Sequence, residues 1–181
     1  MLVSLENYDN TLTSARIDSV IAGWTKAGLF AHLSNAEISK AVDDAEADDL
    51  FSVDGLLKNF PGVIYPFMSS FDSPKHIYST LLSHFAEITH GAFNPTKITQ
   101  RKENGGIRLQ YLSNGKIHSY TFKTTTGFLD DGFSTFMKSL ASENNLPGSF
   151  YTLKYAADII YLTKQQHDYI VNHNLLDLGE E

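Results

Sequence analysis

The spacing of apolar residues changes several times along this chain, and each change predicts an element. Ile17, Val20, Ile21 and Trp24 fall at i, i+3, i+4 and i+7, so residues 12–30 predict a helix with Gly28 at its stop. A second helix is expected from Ser34 or Asn35. Glu37 lies in its first turn, where a carboxylate suits the positive end of the dipole, and Ile38, Ala41 and Val42 face inward. Residues 50–60 keep helical spacing until Pro61-Gly62 closes them. Gly62 to Met68 reads as a short extended piece, which Pro66 confines to an edge or a loop. Ser73 as N-cap and Pro74 at the first helical position predict the start of the next helix. Its stripe is Ile77, Leu81, Leu82, Phe85 and Ile88, and Gly91 is its stop.

The period then drops to two. Residues 97–103, 106–112 and 116–123 predict an antiparallel meander with turns at Asn104-Gly105 and Asn114-Gly115, because a type I′ turn needs positive φ at both central residues. A two-residue second turn sets the register: Leu112 opposite Ile117, Tyr111 opposite His118, Leu109 opposite Tyr120, and Ile107 opposite Phe122. Ile107, Leu109, Tyr111, His118, Tyr120 and Phe122 then share one face, and Arg108, Gln110, Ser119 and Thr121 the other. If the first turn is also two residues long, Arg101 faces Arg108, and the two like charges call for an acid or anion between them. Asp130 or Asp131 is expected to cap a helix through Phe133, Phe136, Met137 and Leu140. Two strands follow, near 150–155 and 158–162, and then a helix capped by Thr163.

From residue 73 the order is α-β-β-β-α-β-β-α. This predicts an α+β fold: an antiparallel sheet, made of a three-strand meander plus a two-strand pair, with helices packed on one face. An acidic, helical N-terminal segment over 1–60 precedes it, as a separate lobe to the 61–181 domain or as part of one continuous domain.

Charge alters the functional picture. The 181 residues carry a net charge of −7, but residues 97–128 hold six basic groups and one acid, while residues 1–60 hold four basic groups and ten acids. The acidic bulk disfavours general nucleic-acid binding, since phosphate would be repelled. There are no cysteines, which removes disulfides, thiolate metal sites and a thiol nucleophile. The first residues lack a basic secretory leader, and no apolar run approaches the roughly 18 residues a membrane helix needs, so a cytoplasmic protein without a membrane partner is expected.

Candidate chemistry is sparse. Asp44, Glu46 and Asp48 alternate like calcium ligands, but Asp49 and Gly55 stand where that loop needs Gly and a bidentate Glu. The seven histidines form no H-E-x-x-H pair, and no phosphate loop or nucleophile elbow is present, so no metal and no cofactor are expected. Asp43, Asp44, Glu46, Asp48 and Asp49 read as a solvated helix end or loop, or as an acidic contact surface for a basic protein partner. Arg101 and Arg108 are expected to pair with the acidic flanks or with a partner. His118 beside Tyr111 is the pocket candidate: a general base at a pocket rim, or a histidine bonded in the core.

The helix running into Gly91-Ala-Phe-Asn-Pro, the Asn-Gly hairpins, Phe133–Leu140, and Gly148-Ser-Phe-Tyr through Ile-Ile-Tyr-Leu-Thr-Lys-Gln-Gln resemble small bacterial α+β domains found among toxin-immunity proteins. The resemblance covers over half the chain. It implies stoichiometric neutralisation of a basic toxin or enzyme, with no catalytic residues to carry over. The alternatives are a small-molecule enzyme using His118 in a pocket between sheet and helices, and a structural or assembly subunit. The sequence carries no signal for oligomeric state.

Overall fold

The computed structural model describes residues 14–47, 53–67, 76–103, 105–123, 129–154 and 158–179. In chain order the elements are α1 (Ser14–Ala27), α2 (Asn35–Ala47), α3 (Val53–Leu57), β1 (Ile64–Tyr65), α4 (Ile77–Ile88), β2 (Thr96–Glu103), β3 (Gly106–Ser113), β4 (Lys116–Lys123), α5 (Phe133–Glu143), β5 (Gly148–Thr152), β6 (Ile159–Thr163) and α6 (Lys164–Asn172). The fold is α+β with two antiparallel three-stranded sheets, β1-β6-β5 and β2-β3-β4.

The meander has the register that its Asn-Gly turn dictates. Tyr111 faces His118, Leu109 faces Tyr120 and Ile107 faces Phe122, while Asn114 and Gly115 both take positive φ. Arg101 does face Arg108. Glu103 pairs with one of the two, 3.6 Å from the Arg108 guanidinium. Helices α4 and α5 cover the inner face through Leu81, Phe85, Phe136 and Leu140, which share a core with Leu109, Tyr111 and Phe122.

The expected two-strand pair is a three-strand sheet. The extended piece before Pro66 becomes β1 and joins the edge, Ile64 opposite Ile160 and Tyr65 opposite Ile159. Helices lie on both faces of this sheet. Ile159 and Tyr161 belong to the core with α4 and α5, whereas Ile160 and Leu162 belong to a second core with Trp24, Leu57, Phe60 and Ile170. The reason is written in β6: Ile-Ile-Tyr-Leu is a continuous apolar run, the pattern of a strand covered twice, not of one half in water. The second core joins residues 17–64 to residues 153–176, so the two cores do not divide the chain at residue 60. The half-exposed Lys58 also ties the α3 segment to the start of β6, 3.1 Å from the buried Asp158 carboxylate.

Two expected caps differ. Helix α4 starts at Ile77 with His76 at the N-cap; Ser73 and Pro74 lie outside the described residues. Gly132, not Asp130 or Asp131, occupies the N-cap of α5. Asp130 instead organises the approach, accepting from the amides of Gly132 (2.6 Å) and Lys123 (2.7 Å). A carboxylate with two such bonds fixes a turn as firmly as it would cap a helix. Thr163 caps α6 as expected, in a full capping box with Gln166.

Candidate partner-binding surface

A hairpin closed by two residues makes its flanking pair, Ser113 and Lys116, mutually hydrogen-bonded, and bonding then alternates along the ladder. The alternation sends the backbone groups of Lys116, His118, Tyr120 and Phe122 toward β3. Those of Ile117, Ser119, Thr121 and Lys123 point away from the sheet. Lys123 fits this geometry: its amide donates outward, to Asp130. Among the described residues, no backbone group outside the sheet bonds Ile117, Ser119 or Thr121.

The two edges of the meander differ. β2 is blunted by a register break between Thr96 and Thr99, where Lys97 takes φ 51°, and by Arg101 and Lys102. A bulge and exposed cations are the usual guards of an edge. β4 is regular over eight residues, without proline or bulge, and its charges sit only at its ends, Lys116 and Lys123.

The outward face is uncovered. Arg101 makes no hydrogen bond or ion pair among the described residues, and Arg108 is half-exposed, its Nε donating to the Ser119 hydroxyl at 2.9 Å. Ile117 is 70% exposed at the end of this face, opposite the half-buried Leu112. The surface thus combines cations, an exposed apolar side chain and small hydroxyl residues.

The inward face is closed. His118 is 6% exposed and lies flat on Tyr111, ring centres 4.9 Å apart. Its Nδ1 stands 3.8 Å from the Glu143 carboxylate, which also accepts from the Tyr120 hydroxyl. Asn144 donates to the Tyr111 hydroxyl at 3.0 Å. Burial pushes the Tyr111 phenol up to about 12, tempered by that amide and reinforced by Glu143. The structure therefore does bring His118 and Tyr111 together, as the register requires. Glu143 and Asn144 complete the cluster from the end of α5, and no spacing in the sequence connects residues 111, 118 and 143. None of the three clefts whose linings are described includes His118 or Tyr111.

The acidic candidates divide. Asp43 and Asp44 are exposed near the C-terminal end of α2, with Asp44 paired to Lys40 one turn back. Glu46 lies in the last turn of the same helix, and Asp48 and Asp49 lie outside the described residues. Acids at a helix C-terminus oppose the macrodipole, and no basic residue stands in that last turn to offset them. At the other end of α2, Ser34 and Glu37 form a reciprocal cap, and these bonds hold the Glu37 carboxyl below its ordinary range.

One further cluster is tertiary in origin. His32 and His90 stack with ring centres 3.5 Å apart at the mouth of a cleft of about 350 Å³, which Tyr161 and Gln166 also line. His32 Nε2 donates to the Pro61 carbonyl at 2.9 Å. Gly62 has φ +73°, and a Cβ there would meet the His90 ring at 3.2 Å. The rings are within 17° of parallel, so their lone pairs do not converge on a common ion. Among the described residues no group of three or more His, Cys, Asp or Glu side chains is placed to hold a metal, and no helix is long and apolar enough to cross a membrane. No family model, curated protein or solved structure matches this chain.

Proposed function

We propose that this chain is a non-catalytic protein-binding protein, of the inhibitor or immunity kind its C-terminal pattern resembles, and that its contact surface is the solvent side of the meander. The observation that carries the reading is the asymmetry of that sheet. Its inner face, with the one chemically suggestive histidine, is closed against α4 and α5, while its outer face leaves Arg101 and Ile117 open. An uncovered cationic surface with an exposed apolar side chain at one end suits an acidic partner, whose association it would speed in a salt-dependent way.

A second reading has its own support. The acids at the C-terminal end of α2 are locally unfavourable, and a basic partner at Asp43 and Asp44 would offset that cost. Three immobilised baits separate the two readings: the wild type, Arg101→Glu/Arg108→Glu, and Asp43→Lys/Asp44→Lys, each checked for an unchanged circular dichroism spectrum. A protein retained by the wild type and the Asp variant but lost by the Arg variant is the expected result. Loss with the Asp variant alone moves the contact to α2. No protein retained above control by any bait overturns the binding role.

A further inference from the structure

We propose that β4 is a docking edge, on which an extended acidic segment of the partner adds as a fourth strand of the meander. This rests on the reading of the meander as the contact surface and specifies how the contact is made. The argument begins with the ladder. A strand at the edge of a sheet exposes every second amide and carbonyl, and each exposed pair can bond a further strand. In β4 these groups belong to Ile117, Ser119 and Thr121, and no described backbone group outside the sheet bonds them.

Proteins guard such edges, and among the described residues the meander guards only one of its two. β2 carries the break at Thr96 and Thr99 and the cations Lys97, Arg101 and Lys102. β4 keeps an unbroken ladder from Lys116 to Lys123. Its exposed residues, Ile117, Ser119 and Thr121, are ones a neighbouring strand packs against readily.

Charge selects the occupant. Antiparallel pairing of β4 with a second copy, centred on Ser119, brings Lys116 of one copy within a residue of Lys123 of the other at both ends, on opposite faces, and offers neither of them a carboxylate. A strand with carboxylates reaching Lys123 and Arg108 meets complementary charge instead. Alternation does the rest: acidic side chains lie on the outer side near Arg108, and β-branched ones on the inner side beside the half-buried Tyr120.

The probe is a capped, fluorescein-labelled octapeptide of four Glu-Val repeats, followed by anisotropy with the full chain. Saturable binding that weakens with salt is expected. In hydrogen exchange, the Ile117, Ser119 and Thr121 amides should be open in the free protein and protected in the complex. Ser119→Pro removes an outward amide, which an edge strand tolerates, and should weaken binding at least tenfold with no loss of fold. Should that variant unfold, the same peptide N-methylated at alternate residues tests the backbone pairing on the wild-type chain and should not bind. Absence of peptide binding, equal binding by a folded Ser119→Pro variant or by the N-methylated peptide, or protection of the three amides in the free chain would overturn the proposal. If the Arg101→Glu/Arg108→Glu bait loses a partner that a Ser119→Pro bait keeps, the face contact stands and strand addition falls.

Discussion

The two sheets of this protein are built from the same number of antiparallel strands and live in different surroundings. In β1-β6-β5 the central strand is buried from Ile159 to Leu162, with alternate side chains in two different cores. In β2-β3-β4 burial alternates from Ile107 along β3 and along β4, and β2 has no fully buried residue. The first sheet has helices packed on both faces. The second has a free face and a free edge. The difference teaches that an apolar strand read as one of an ordinary pair can be the partition between two cores, while the more polar sheet is the one available for contact.

The most forceful way to break this comparison is a truncation in each sheet. Leu162 is fully buried in the second core, and Leu162→Ala is expected to cost about 2–5 kcal/mol. Ile117→Thr, on the open face, should stay within about 0.5 kcal/mol. Urea unfolding at equal m-value measures both. A loss of similar size at Ile117 would mean that the meander is covered after all.

The inner face of the meander offers a smaller, pH-dependent effect. A phenol held at about 12 in the fold ionises near 10 once unfolded, so the unfolded chain has fewer bound protons above pH 10. Tyr111 therefore contributes stability that is intact below pH 10 and is lost between pH 10 and about 12, amounting to roughly 2–3 kcal/mol. Denaturation across that window should show the loss, and Tyr111→Phe should reduce it, the rest coming from Tyr65, Tyr78 and Tyr161, whose phenols burial also raises. A wild-type curve as flat as that of the variant would place the Tyr111 hydroxyl in water.

The smallest effect belongs to the histidine stack between the α1–α2 connection and the end of α4. Partial burial holds the His90 imidazole below its ordinary range, with a further push from His32, partly offset by the Gly62 backbone. The unfolded chain then takes up a proton that the fold refuses. Stability is full above the ordinary imidazole range and declines as pH falls through it. His90→Asn, which accepts the φ of 49° at this position, should flatten that decline. Titration of the His90 Cε1–H resonance checks the cause directly; an ordinary or raised midpoint contradicts it.

How much of this was legible beforehand depends on the range of the forces involved. The Asn114-Gly115 turn is a local steric requirement, and it propagates a whole register through a rigid two-residue period, so the pairing of Tyr111 with His118 followed from eight adjacent residues. Thr163 with Gln166 is equally local, and so is the helical stripe from Ile77 to Ile88. The start of that helix was less so: the Ser-Pro signal lies upstream of the observed first turn, where His76 holds the N-cap without a side-chain bond.

The sequence alone therefore determined the elements, the α+β class and the register of the meander, because propensity, turn sterics and hydrophobic period act between neighbours. Only the tertiary structure decided that β1 closes the β6 edge across about a hundred residues, and that the first helices share a core with the last. It alone set His32 on His90 and brought Glu143 to His118. These are choices among many apolar surfaces of similar composition. Burial is non-directional and scales with area, so it rewards contact without encoding which partner is met.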